Sequence, residues 1–319
     1  MRNLILISLA VFVFFACAGT RPVSNPAPDP AYHWRVGDSF RVVFSERLEH
    51  QPRQSAEEPS TRVTLVHFNL DVLETDAAGR AHLLLTPTYS QVTIREGDRP
   101  AIVHDGWLDR GRDPFDRSPG AHYLRNVGDH GLHLVVDATG LWQRDFRGET
   151  VPPDFFANDK WRKPPAGLTV FPYPENKHLQ PVLFATYLPV DWRVRREWKR
   201  TEAFAPHPPM TGYIPVVMSS RLVQREGSLL RLEGSGVADG KAEVKSPFGM
   251  IQLGDVTLGL NFTSAAYEGR FNLDYGLPIE SRLELKWATQ RFVNGPEEVI
   301  SDDSQVLTFE VRPQRKEAR

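Results

Sequence analysis

Cysteine is almost absent from this chain: Cys17 is the only one among 319 residues. A single thiol excludes an internal disulfide framework and any cysteine-built metal site. A surplus of positive charge is missing too, since the formal net charge is −2. That balance argues against a nucleic-acid partner, which wants a concentrated basic face. Beyond residue 20 there is no apolar run of the roughly 20 residues that a spanning helix needs, and no sustained 3.6-residue period. No Gly-x-Ser-x-Gly elbow, His-Glu-x-x-His helix or Walker loop occurs either. The Gly-x-Gly in Gly-Ser-Gly-Val-Ala-Asp-Gly at 234–240 follows a strand-like stretch and opens no helix, which excludes a dinucleotide loop.

What is present begins at the N-terminus. Arg2 precedes an apolar stretch, Leu4 to Phe15, that is too short to cross a bilayer comfortably and reads as a secretory signal peptide. The neighbourhood Phe14-Phe15-Ala16-Cys17 resembles the lipobox of bacterial lipoprotein precursors. Ala16 matches the small residue before the cut and Cys17 the lipidated position, while Phe14 and Phe15 stand where that family usually has Leu and a small residue. The resemblance implies a diacylglycerol on the Cys17 thiol, cleavage after residue 16, and acylation of the new amine. It also implies outer-membrane sorting in a host with two membranes, because Ala18 rather than Asp follows the cysteine. An ordinary secretory peptide and an uncleaved anchor helix are the alternatives. Several acyl chains would hold a protein on a membrane permanently. Residues 17–31 are rich in Pro, Ala and Ser and read as an extended tether. Removing residues 1–16 removes only Arg2 among the charged residues and shifts the net charge from −2 to −3.

The dominant pattern is alternation with period two. Phe40, Val42 and Phe44 share a face; so do Val66, Phe68, Leu70 and Val72; Val256, Leu258, Leu260 and Phe262; Ile279, Leu283, Leu285 and Trp287; and Leu307, Phe309 and Val311. Strands that are apolar on one side and polar on the other belong to antiparallel sheets. The predicted fold is therefore all-β and antiparallel, with curved sheets of sandwich or half-barrel type. The inward positions switch from odd (Ala81, Leu83, Leu85) to even (Val92, Ile94), which places a bulge near Pro87.

The two halves look related. Trp-Arg-Val opens a strand at Trp34 and again at Trp192, and a hairpin across a polar turn follows each time. Asp137-Ala-Thr-Gly140 and Asp274-Tyr-Gly276 fit tight turns in which glycine takes positive φ. We read β-meanders over 32–150 and 167–313, a linker at 151–166 with a helical turn or two around 155–161, and a tail at 314–319.

The richest stretch for chemistry is 104–133, which holds His104, His122, His130 and His133 among many Asp residues. Long loops are often functional, and three of these histidines match the number of protein ligands in a catalytic zinc site. Against this, Arg110, Arg112, Arg117 and Arg125 interleave with the acids, as in a self-paired solvated loop, and His133 alternates with Leu132 and Leu134 as if on an exposed strand face. The acidic pairs Glu57-Glu58, Glu297-Glu298 and Asp302-Asp303 read as loop charge rather than a glycosidase pair, and the tryptophans mostly as packing. The expectation is a non-enzymatic, membrane-anchored envelope module that binds an apolar ligand or another envelope component. No catalytic, cofactor or metal residue is assigned, and Cys17 is the one modified residue. A structural or assembly lipoprotein with a protein partner, and a hydrolase or metal protein built on 104–133, are the alternatives.

Overall fold

Period-two sequence with one apolar side folds as sheet only where that side can be covered. In the computed structural model the sheet covers it by curling on itself. The structure describes residues 32–53, 57–105, 131–140, 142–147, 188–189, 191–204, 214–238, 251–253, 256–293 and 297–314. The signal peptide, the tether with Cys17, His122, His130, the 151–166 linker with its expected helical turns, and residues 315–319 lie outside the described residues.

Thirteen strands are described: β1 (Ser39–Pro52), β2 (Ser60–Thr75), β3 (Ala81–Glu96), β4 (Ile102–Asp105), β5 (Leu132–Val136), β6 (Trp142–Arg147), β7 (Glu197–Phe204), β8 (Ile214–Glu226), β9 (Leu229–Ala238), β10 (Ile251–Leu253), β11 (Val256–Asn272), β12 (Leu277–Val293) and β13 (Glu297–Pro313). No helix occurs among the described residues. All the ladders are antiparallel and form one sheet, in the order β6-β5-β3-β2-β1-β13-β12-β11-β9-β8-β7, with β4 added to β3 and β10 to β11. The fold is thus all-β, as the alternation predicts. The first and last strands pair along their whole length, from Phe40 opposite Pro313 to Pro52 opposite Ser301. Among the described residues no ladder joins β6 to β7, so the curved sheet is not closed into a barrel.

Most of the predicted inward residues are buried, while Ile94, Phe262, Ile279 and Trp287 are half-buried. Val42, Phe44, Val66, Phe68, Leu283 and Leu307 are all at most 1% exposed. A lone sheet can bury one face this thoroughly only if residues from distant strands meet across its hollow. They do: Tyr32, ahead of β1, packs edge-on against Phe271 of β11 with ring centroids 4.9 Å apart. The bulge at Pro87 is present. Phe68 pairs with Pro87 and His67 with Tyr89, leaving Thr88 as the extra residue that re-aims the inward face.

The two halves repeat one plan. β1-β2-β3-β5-β6 is matched by β7-β8-β9-β11-β12, each with one short strand off the path (β4, β10) after the third member. Smaller features recur with it. The amide of Val72 donates to the carbonyl of Asp38 at 3.0 Å, and that of Leu222 to Arg196 at 2.9 Å. A bulge follows in both, between Val72 and Glu74 and between Leu222 and Gln224. Gly140 (φ 81°) and Gly276 (φ 64°) end corresponding turns. One detail differs from the expectation: Trp34 and Trp192 do not begin strands. Each lies in the segment ahead of β1 or β7, where the chain turns before pairing begins.

Candidate functional site

The hollow of the sheet divides into two tiers along the strands. The apolar tier lies at the end where β1 begins. Phe40, Leu70, Leu85, Leu134, Leu277 and Phe309 line it, and Tyr32 and Trp34 cap it. Gly140 makes the cap possible, because a Cβ there would stand 2.3 Å from the Tyr32 ring. Gly276 receives the neighbouring residue, its carbonyl accepting the His33 amide at 3.1 Å. The space left is a cavity of about 30 Å³, room for about one water. This tier is filled.

The polar tier begins where the same inward faces run on past Phe44 and Leu307. On β1 the next inward residue is Glu46, 2% exposed; on β13 they are Gln305 at 4%, Asp303 at 8% and Ser301 at 0%. Burial of carboxylates requires partners, and they are supplied across the β1–β13 seam. Gln305 Nε2 donates to Glu46 Oε1. Asp303 accepts from Thr289 Oγ1 at 2.5 Å, Ser301 Oγ at 2.8 Å and His50 Nδ1 at 2.6 Å. The Nε2 of His50 stands 3.5 Å from Glu57 Oε1.

Chemically this is a carboxylate held by three donors, with a histidine fixed between two acids. It is not a nucleophilic triad. In that arrangement the hydroxyl bonds to the histidine, whereas here both hydroxyls bond to the carboxylate. The carboxylate's bonds are made by the protein's own side chains, which tie β1, β12 and β13 together.

This cluster corrects the sequence reading of Asp302-Asp303. The pair sits inside β13, not in a loop. Asp302 faces out and accepts two hydrogen bonds from Arg53, at 2.8 and 2.9 Å, which hold its carboxyl below the usual range, while Asp303 faces in.

The histidines of 104–133 separate. His104 pairs with Val92 and His133 with Leu84, both on β3. Eight residues of strand is about 26 Å, too far to share a metal. Among the described residues no group of three His, Cys, Asp or Glu side chains could hold one. His133 is not on an exposed face as expected. It is 9% exposed and its Nδ1 lies 2.9 Å from Nε2 of His82, itself 2% exposed. Burial, and then the charge on His133, push the His82 pKa down to about 4, so His82 is neutral at pH 7. Tyr267, fully inside, has its phenol pKa raised by burial. Gly236 lies within β9, where its missing side chain leaves room for Met218 and Val216. It therefore serves packing, not phosphate.

No protein-family model and no curated protein matches the chain. Among solved structures it is similar to lipovitellin, in a structure described by its lipid–protein interactions. The TM-score is 0.50 at 9% identity, over 90% of this chain and 26% of that one. An outer membrane channel from Pseudomonas putida F1 aligns over 89% of this chain and 99% of its own, at 7% identity and a TM-score of 0.22. The chain therefore spans about a quarter of lipovitellin's length, and at this identity the likeness is one of fold: a broad antiparallel sheet with one buried face.

Proposed function

We propose that this chain is a lipid-anchored protein of the bacterial envelope, held by acyl groups on Cys17, whose β module binds an apolar ligand. In a host with two membranes it is held on the outer membrane and faces the periplasm. The observation that carries the binding role is a curled sheet with an apolar inner face whose edges at β6 and β7 no ladder joins among the described residues, an arrangement that gives a hydrophobic molecule a way in. The fold is similar to part of lipovitellin, a protein described by its lipid–protein interactions.

One observation favours a second reading, an assembly protein whose partner is another envelope component. The apolar tier holds a cavity of only about 30 Å³, so an acyl chain would have to displace Tyr32 and Trp34 to enter there. Intact-mass spectrometry of protein purified from its own host separates these readings. The expected spectrum is the chain from residue 17 plus acyl mass, with a co-purifying lipid released on denaturation. An acylated chain that releases nothing favours the assembly role, and an unmodified Cys17 overturns the anchor.

A further inference from the structure

Exposed apolar side chains occur at both ends of the strands, with Ile102, Val103 and Val237 at the far end. At the end where β1, β3, β7, β9 and β12 begin, large apolar side chains stand in solvent: Val194 is 84% exposed, Val36 62%, Tyr275 44%, Val223 43% and Leu73 39%. They are not scattered. Val36 and Val194 are the third residues of the two Trp-Arg-Val segments, and Leu73 and Val223 are the extra residues of the two matching bulges. A bulge turns one side chain out of the alternation, so the repeat presents an exposed apolar pair twice at the same rim. Exposed apolar groups gathered in this way mark an interaction surface.

Three features of this rim say what covers it. The first is the chain path. The described chain enters here at Tyr32, pinned by the bond from His33 to Gly276, and Cys17 lies only 15 residues upstream. The second is charge. Val194 sits in Arg193-Val194-Arg195-Arg196, with Arg225 beside it; the guanidinium groups of Arg193 and Arg225 lie 5.1 and 5.9 Å from the Trp192 ring centre. Asp191, Glu197 and Glu226 flank these four arginines in the chain, and Arg195 pairs with Asp191 at 3.0 Å. An exposed apolar tip ringed by arginines is the composition that seats on anionic headgroups. The third is the remoteness of the filled cavity's polar neighbours, which lie deeper along β1 and β13, so the rim is separate from the site around Asp303.

We propose that this rim is the face on which the module rests against an anionic lipid surface, with Val194 and Val223 entering the headgroup layer and Val36 and Leu73 following on the other half. The inference rests on the anchored reading. The tether raises the local concentration of the surface, so even weak contacts suffice. The bound pose turns the opposite strand ends away from the membrane.

The test uses the full chain made in its own host and placed in vesicles of phosphatidylcholine with or without phosphatidylglycerol. A nitrobenzoxadiazole label is attached at Val194→Cys on the rim or at Val237→Cys on the opposite end, where the native residue is 62% exposed. The expected result is severalfold protection from iodide quenching at position 194 relative to 237, strongest with phosphatidylglycerol and reduced by high salt. Equal quenching at the two positions overturns the rim. The intact mass of the same samples reads the anchor separately. Acylated Cys17 with equal quenching removes the rim and leaves the anchor. Unmodified Cys17, then changed to Ala to keep one label site, with protection at 194 removes the anchor and leaves the rim.

Discussion

Gly140 offers a sharp test of how the hollow is capped. Its φ of 81° is unfavourable for any residue with a side chain, and that strain costs about 1–2 kcal/mol for alanine. A second cost is particular to the site. The new Cβ would lie 2.3 to 2.5 Å from Tyr32 ring atoms, so the ring must leave. Tyr32 is 5% exposed and packs on Phe271, and emptying an aromatic site in a core costs up to about 3–5 kcal/mol. Part of that is recovered if the segment re-seats, so Gly140→Ala should lose about 3–5 kcal/mol in all. Gly227 supplies the control, with φ 59° and nothing within 4 Å of its Cβ, and Gly227→Ala should show the strain alone, about 1–2 kcal/mol. Urea unfolding followed by tryptophan fluorescence measures both. In a Tyr32→Ala background the Gly140 penalty should fall to that of Gly227, because the clash has been removed. Equal costs at Gly140 and Gly227 in the native background would refute the capping argument.

Asp303→Ala should destabilise by about 1–3 kcal/mol, since the buried Ser301 and the half-buried Thr289 and His50 lose their acceptor, whereas Asp302→Ala, losing an exposed pair with Arg53, should cost under about 1 kcal/mol; chemical denaturation ranks them. The His82 pKa is lower in the fold, about 4, than its ordinary 6.5, so the unfolded chain takes up the proton first as pH falls. Stability should therefore decline from pH 6.5 down to about 4, by about 1.4 kcal/mol for each pH unit at most, and a His82→Asn chain that keeps the same slope would show the cause lies elsewhere. Cys17→Ser should leave an unprocessed precursor because the thiol takes the lipid; a mature-sized variant that still needs detergent for extraction would contradict the anchor.

The inner face was legible where it is apolar, because burial of one side of a strand imposes period two on the residue types. Phe40, Val42 and Phe44, or Leu307, Phe309 and Val311, announce their direction without a structure. The same period continues through Glu46 and through Gln305, Asp303 and Ser301, but there the residue type no longer reports burial. Extending the phase of each strand past its last apolar residue would have found these positions. What could not be read is their meeting, since β1 and β13 pair across nearly the whole chain and no local pattern encodes that register. His133 misled for a related reason. Alternation tells which face a side chain is on, not whether the second face is covered, and at His82 and His133 it is. Of the bulges, only the one at Pro87 carried a signal, because proline cannot donate to a ladder; Leu73 and Val223 look like ordinary strand residues.

Strand parity explains why the sheet stays open where it does. Each repeat contributes five strands to the path, and in an antiparallel meander five strands run up, down, up, down, up, so the first and last point the same way. Setting β12 directly beside β1 would make a parallel pair. β13, which belongs to neither repeat, runs the opposite way and sits between them, pairing antiparallel with both. No such strand stands between β6 and β7 among the described residues, and these two again point the same way. Eleven strands on the path is an odd number, so closing the ring directly would require one parallel ladder. Direct antiparallel pairing of β6 with β7 is therefore excluded by their direction. A strand set between β6 and β7 would run opposite to both and could pair antiparallel with each, as β13 does between β1 and β12.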